Sequence, residues 1–405
     1  MTSNVTPTIS TANGALAPSA EVQTLIARRI RQDVQSMHAY AIQDSAGLVK
    51  LDAMENPYKL PPKLQTQLGK RLGALALNRY PDGRVDDLRK ALVAYADMPE
   101  GFDLMLGNGS DELISLLAMA CDVPVVAGAS KPAVLAPVPG FVMYSMSATL
   151  QGLDFIGVPL TPDFRLDVPS MVHRIADQKP AIVYLAYPNN PTANLWNADD
   201  MAQVIAAARS AGSIVAIDEA YQPFSSRTYL DVVRAKPQDH GHVLLMRTLS
   251  KFGLAGVRLG YMVGPAALIA QVDKVRPPYN VSVLNYECAL FALEHQDVFA
   301  EQAQQICAER TRLMDALRAM PGVTAFDSDA NMILVRIEPA ANASGLPDNN
   351  VPPDRAQITF DALKSNGVLV KNVSKMHPLL AHCLRLTVGT PAENTQLIAA
   401  LQRSL

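Results

Sequence analysis

Basic residues are gathered nowhere in this chain. Lys and Arg number 35 against 38 Asp and Glu, for a net charge of −3. With no basic stripe, the chain lacks the electrostatic footprint of a nucleic-acid binder. Cysteine is scarce: Cys121, Cys288, Cys307 and Cys383 lie far apart and form no C-x-x-C pair. Reduced, buried thiols in a cytoplasmic protein are expected, and no metal site. The only close histidine pair, His240 and His242, falls in a polar loop and reads as surface. Charge is absent from residues 1–20. Neither the basic start of a secretory signal nor the arginines of a transit peptide is there, and a flexible tail is expected. The stretch from Pro132 to Leu153 is also uncharged, but Pro137, Pro139 and Gly140 break it. It reads as strand, loop and helix start rather than a membrane span.

What is present is core. Hydrophobic residues make up 49% of 405 and charged ones 18%, enough for a large domain plus a smaller one. Val22, Leu25, Ile26, Ile30, Val34 and Met37 recur at helical spacing, predicting one amphipathic arm over residues 21–45. Residues 46–78 and 316–405 are expected to form a small α+β domain around a large domain at 79–315. A long helical pattern runs from about Pro278 to Met320, and residues 338–354, with four prolines, read as a surface loop.

Three polar clusters follow apolar strands. Ala181–Ala186 runs into Tyr187-Pro188-Asn189-Asn190-Pro191, Ser213–Ile217 into Asp218-Glu219-Ala220-Tyr221, and Val243–Met246 into Thr248-Leu249-Ser250-Lys251. The helix predicted over Ala198–Ala211 makes the first two a β-α-β unit with parallel strands. All three clusters then emerge at the carboxyl edge of one sheet, where open α/β sheets bind ligands. There Lys251, among apolar neighbours and facing Arg258, would have a depressed pKa and could form an imine with an aldehyde. The alternative is a solvated loop lysine. Gly107-Asn108-Gly109-Ser110-Asp111 enters a helix, which makes either an anion seat or an ordinary cap by Ser110 or Asp111. Asp218, at a buried strand end, needs a hydrogen bond or a positive partner such as a protonated pyridine.

Together these motifs resemble the fold-type I pyridoxal-phosphate enzymes, and within them the class I and II aminotransferases. They are joined by Met54-Glu55-Asn56-Pro57-Tyr58, Arg79-Tyr80-Pro81-Asp82 and Leu384-Arg385-Leu386-Thr387-Val388-Gly389. The resemblance runs from about residue 45 to the end and implies an α/β fold. A mostly parallel seven-stranded sheet flanked by helices would sit beside the smaller α+β domain. It also implies pyridoxal 5'-phosphate, with Lys251 as its covalent anchor and proton shuttle. Asp218 would pair with the pyridinium nitrogen, while Asn190 and Tyr221 bond the ring oxygen. Phe141 would stack on the ring, and Ser110, Asp111, Ser250 and Arg258 would grip the phosphate. Tyr80 would reach the phosphate of a neighbouring subunit, implying a homodimer with shared active sites. On the substrate side the resemblance puts Arg385, Lys371, Tyr58 and Asn56. Many relatives have arginine where Lys371 stands, and a lysine binds phosphate as a point charge.

Within the family the sequence looks most similar to the histidinol-phosphate aminotransferases, which implies amino transfer between glutamate and a phosphorylated imidazole substrate. Two rivals share the fold: an aromatic-amino-acid aminotransferase and a decarboxylase of a phosphorylated amino acid. A cofactor-sensing regulator would want a DNA-binding domain of several helices ahead of the first motif, and only one helix is predicted there.

Overall fold

Apolar runs become strands where helices cover them on both sides. The computed structural model describes residues 19–37, 43–81, 84–121, 123, 131–338 and 354–405. The tail predicted over residues 1–20, the end of the arm at 38–42, the Asp82-Gly83 pair and most of the proline-rich loop lie outside the described residues. In chain order the strands are β1 (Val49–Lys50), β2 (Phe102–Gly107), β3 (Ala133–Val138), β4 (Asp154–Pro159), β5 (Ile182–Ala186), β6 (Ile214–Asp218) and β7 (Val243–Thr248). They continue as β8 (Gly260–Pro265), β9 (Val323–Ala325), β10 (Met332–Ile337), β11 (Val368–Leu369), β12 (Lys371–Asn372) and β13 (Cys383–Thr387).

Seven strands form the large sheet in the order β2-β8-β7-β6-β5-β3-β4. Only β8 runs against the rest, antiparallel to both β2 and β7. The sheet is therefore the mostly parallel one that the resemblance implies. Its central strands are apolar on both faces: Val183, Leu185, Val215, Ile217 and Leu245 pack into one core, and Ile182, Tyr184, Ala216, Leu244 and Met246 into the other. Alternate residues thus bury into opposite layers, as strands covered twice must. The helix Ala198–Ala211 links β5 to β6. Asn197 caps its start by accepting from the amides of Asp199 and Asp200, and Gly212, at φ +77°, ends it.

The register fixes what reaches the carboxyl edge. Ala186 pairs with Asp218 and Asp218 with Met246, while Gly260 pairs with both Gly107 and Thr248. The ends of β2, β5, β6 and β7 therefore lie side by side.

A smaller antiparallel sheet, β12-β13-β10-β9, and the parallel pair β1-β11 lie in the same unit, Ser45–Leu405. Met332, Ile333, Leu363, Leu384, Leu386 and Leu397 are among their buried core. In the preceding unit, Met1–Asp44, the expected single helix is two, Ala20–Arg29 and Gln32–Ser36. Ile30 turns extended at ψ 130°, and Arg31 pairs with Asp33. The long helical pattern before Met320 likewise divides at His295 into Val283–Glu294 and Gln296–Arg318. Among the described residues no helix is long and apolar enough to cross a membrane. All four cysteines are free thiols.

Candidate active site

Five strand ends open into one cleft. β6 delivers Asp218, β5 the turn with Asn190, β7 Ser250 and Lys251, β3 Phe141, and β2 the helix start at Ser110 and Asp111. Tyr221 and Arg258 complete the expected lining, around a space of about 130 Å³. The polar clusters predicted to converge do so because parallel strands share one carboxyl edge.

At one end the cleft is built for an anion. The helix Ser110–Ala120 is capped by Gly109, at φ +85°, with no side-chain cap hydrogen bond at its start. The cap reading of Ser110 and Asp111 therefore gives way to an open helix N-terminus, where amide groups and dipole favour negative charge. Arg258 adds a guanidinium, its Nη1 3.4 Å from Ser250 Oγ and its Nη2 3.4 Å from Asp111 Oδ2. Thr248 Oγ1 donates to Ser250 Oγ at 2.9 Å. Space here is tight: a Cβ on Gly109 would lie 2.7 Å from Arg258 Nη2, and one on Gly260 3.0 Å from the Ser110 nitrogen. Glycine at 260 lets the two backbones approach, and glycine at 109 takes its positive φ without strain.

The middle of the cleft holds a carboxylate short of a cation. Asp218 is 4% exposed and accepts from the Tyr144 hydroxyl at 2.8 Å and the Ala220 amide at 3.0 Å. Burial pushes its carboxyl up to about 6 despite those bonds, and the charges of Asp111 and Glu219 add to the rise. Tyr221 receives a hydrogen bond from Asn190 Nδ2 at 3.0 Å, and Asn190 Oδ1 accepts from Arg385 Nη1 at 2.7 Å. Burial raises the Tyr221 phenol well above its usual range.

Lys251 faces this group. Its Nζ donates to the Ala53 carbonyl at 2.9 Å and lies 5.9 Å from the centre of the Tyr221 ring. Enclosure by the cleft walls lowers the amine to about 8, and the Arg385 charge lowers it further than the Arg258 charge does. The expected depression is present, but its principal cation is Arg385, from β13, which chain proximity could not indicate. A solvated loop lysine would show neither the enclosure nor the fixed partner.

The sequence model for aminotransferase class I and II matches residues 46–401. The chain belongs to the class I and II aminotransferase family. Among the similar relatives, the histidinol-phosphate aminotransferase of Polaromonas naphthalenivorans strain CJ2 is 64% identical over 389 residues, 96% of this chain and all of that one. That of Methylibium petroleiphilum is 63% identical over 377 residues, 93% of this chain and 95% of that one. A solved structure, histidinol-phosphate aminotransferase from Sinorhizobium meliloti in complex with pyridoxal-5'-phosphate, superposes with a TM-score of 0.75 at 23% identity. It covers 93% of this chain and 97% of its own. This last likeness bears on the fold, which is that of the fold-type I aminotransferases.

The donor set of this class I and II aminotransferase fits pyridoxal phosphate. The open helix start with Ser250 and Arg258 suits a phosphate, the buried Asp218 suits a protonated ring nitrogen, and the amine of Lys251 suits an aldehyde. Phe141 stands on the cleft wall, edge-on to Tyr144 with ring centres 5.6 Å apart.

The other expected residues are not among the cleft's lining. Arg385 is 7% exposed, and its Nη2 donates to the Asp52 carbonyl at 2.8 Å. Lys371 pairs with Arg385 across β12 and β13. Asn56 Nδ2 donates to Gln302 at 2.9 Å, while its oxygen accepts from the Tyr58 amide. Tyr58 packs against the small-sheet core. Tyr80 is 76% exposed and stacks on Tyr279, ring centres 4.5 Å apart. Sequence reasoning missed Tyr144, whose only signal is its position one helical turn after Phe141. It also missed Thr248 and Met54 in the lining.

Proposed function

We propose that this aminotransferase is a pyridoxal-phosphate-dependent histidinol-phosphate aminotransferase, moving an amino group between glutamate and the phosphorylated imidazole substrate of histidine biosynthesis. One observation carries the chemistry: a lysine amine lowered to about 8 and a buried carboxylate raised to about 6 face one cleft, beside an uncapped helix start. Near-complete coverage by relatives of that name supports the substrate.

When bound, pyridoxal phosphate supplies an aldehyde and an electron sink. The chain supplies the rest. The helix-start amides at Ser110 and Asp111, with Ser250 and Arg258, would hold the phosphate, and Asp218, fixed by Tyr144, would hold the ring nitrogen in its protonated form. Asn190 and Tyr221 would hydrogen-bond the ring oxygen, and Phe141 would cover the ring face. Lys251, neutral in an appreciable fraction near pH 8, would anchor the aldehyde, and its free amine, enclosed away from competing water, would hold and move a proton at Nζ. Arg385 and Lys371, on neighbouring strands, receive the substrate's acidic end, a carboxylate in one half-reaction and a phosphate in the other. Tyr58 and Asn56 border that end, and Tyr80 reaches the site of a second subunit in a cytoplasmic homodimer.

The test is a half-reaction. Histidinol phosphate, phenylalanine and glutamate are titrated separately into the holoenzyme while its visible cofactor absorbance is followed. Response to histidinol phosphate at far lower concentration than to phenylalanine is expected. A response to phenylalanine alone would move the enzyme to the aromatic class, and carbon dioxide release would move it to the decarboxylases.

A further inference from the structure

The carboxylate next to Asp218 has no place in the chemistry above. Glu219 is 1% exposed and, like its partner Arg247, does not line the cleft. Arg247 Nε and Nη2 each lie 2.9 Å from Glu219 Oε2, and Nη2 also donates to Thr228 Oγ1 at 2.9 Å. Thr228 Oγ1 donates to both Glu219 oxygens, and the Tyr229 amide donates to Oε1 at 2.6 Å. The pair joins two strand ends: Glu219 follows Asp218 on β6, and Arg247 lies four residues before Lys251 on β7. The Glu219 amide donates to Met246 O across them.

Two adjacent buried carboxylates oppose each other's ionisation. Around Asp218 stand the Tyr144, Tyr184 and Tyr221 phenols and the Asp111 carboxylate. Lys251 and Arg258 lie across the cleft. Glu219 therefore acts against the anion that the cleft requires. We propose that Arg247 is a positioning residue whose charge cancels Glu219 and so keeps Asp218 ionised for the cofactor's ring nitrogen. The pair balances charge from behind the site, holding the two strand ends in register as it does so. This rests on Asp218 being the partner of that nitrogen.

The sign of the effect separates the proposal from a merely structural bridge. Removing either partner of a buried pair destabilises, whichever partner it is. Charge balance instead predicts opposite shifts in the acidic limit of cofactor binding. The dissociation constant of pyridoxal phosphate is measured by absorbance between pH 5 and 9 for four proteins: the wild type, Arg247→Met, Glu219→Gln and the double variant. Arg247→Met should move the pH below which affinity falls upward by about one unit or more. Glu219→Gln should move it downward, and the double variant should return it to within a few tenths of wild type. Circular dichroism establishes that each variant is folded. If Arg247→Met does not fold, the downward shift in Glu219→Gln carries the test, and an unchanged limit there overturns the proposal. Equal upward shifts in both single variants would also overturn it. Asp218→Asn serves as control: if it keeps wild-type affinity and pH dependence, the ring-nitrogen reading fails instead, and the two failures remain distinct.

Discussion

The two walls of the cleft are held by different kinds of bond. On the large-sheet wall, side chains satisfy one another: Tyr144 with Asp218, Asn190 with Tyr221, Thr248 with Ser250, Arg258 with Asp111. On the small-sheet wall, Arg385 Nη1 donates to the neutral amide oxygen of Asn190, and Arg385 Nη2 and Lys251 Nζ donate to the main-chain carbonyls of Asp52 and Ala53. The residue after these two, Met54, is tied to the small sheet, its amide donating to Thr387 Oγ1 and its carbonyl accepting from Asn331. A carbonyl is a neutral acceptor, and a carboxylate or phosphate makes a stronger bond to either cation. The first wall is thus finished before a ligand arrives, while the second is held by partners that a ligand can replace.

The largest test of that contrast is Lys251→Ala. It removes the group that belongs to both walls, and turnover should fall by about 10⁴-fold or more, measured as kcat with saturating glutamate. Retained phosphate binding would show that the large-sheet wall stands without it.

Asp218→Asn should lower kcat by about 10²–10³-fold and have the opposite effect on the empty protein. The folded-state pKa of Asp218, about 6, lies above the ordinary aspartate value of 3.8. The neutral form therefore favours folding, a contribution complete below about 3.8 and lost as pH rises through about 6. Above that, ionised Asp218 costs the cofactor-free chain roughly 2–3 kcal/mol. The asparagine variant, stripped of cofactor, should melt higher than wild type at pH 8 and no higher at pH 4. A lower melting temperature at pH 8 would contradict the cation-deficient description of the site.

Arg385→Lys acts on the replaceable wall. Loss of the planar fork should raise KM for glutamate about 10–100-fold, with pyridoxal phosphate affinity changed less than about threefold. A comparable loss of cofactor affinity would mean that the two walls are not separable. The smallest effect is expected from Tyr144→Phe, which deletes one hydrogen bond to a carboxylate. A loss of about 1–2 kcal/mol should appear as roughly 5–30-fold weaker cofactor binding, with little change in KM.

The finished wall was the legible one. Its residues stand next to apolar strands, so Asp218, Asn190, Ser250 and Lys251 could be placed at one edge from the β-α-β pattern alone. The other wall joins residues far apart in sequence, such as Asp52, Asn190 and Arg385, and no local period reports which cation will act most strongly on Lys251. Here the resemblance, not spacing, pointed to Arg385. Strands without an apolar run were hard to read for a related reason. β8 contains Gly260, Gly264 and Pro265, and β4 is largely accessible, so neither shows the patterning of a doubly buried strand. The helix breaks at Ile30 and His295 passed unmarked because neither residue is a strong breaker, and the apolar pattern continues beyond them.

The pairing of β1 with β11 has a consequence for the order in which a growing chain can become an enzyme. Every strand of the large sheet lies between Phe102 and Pro265, so that sheet can assemble while the rest is still being translated. Val49 and Lys50 emerge before that sheet yet find their partners, Val368 and Leu369, only after it is complete. The Asp52–Met54 segment beside them waits for Arg385 and Thr387 as well. A nascent chain stalled after the large sheet would hold a nearly complete cofactor seat but neither Arg385 nor the partners of the Asp52–Met54 segment, so the residues from Val368 to Thr387 decide when the second wall closes.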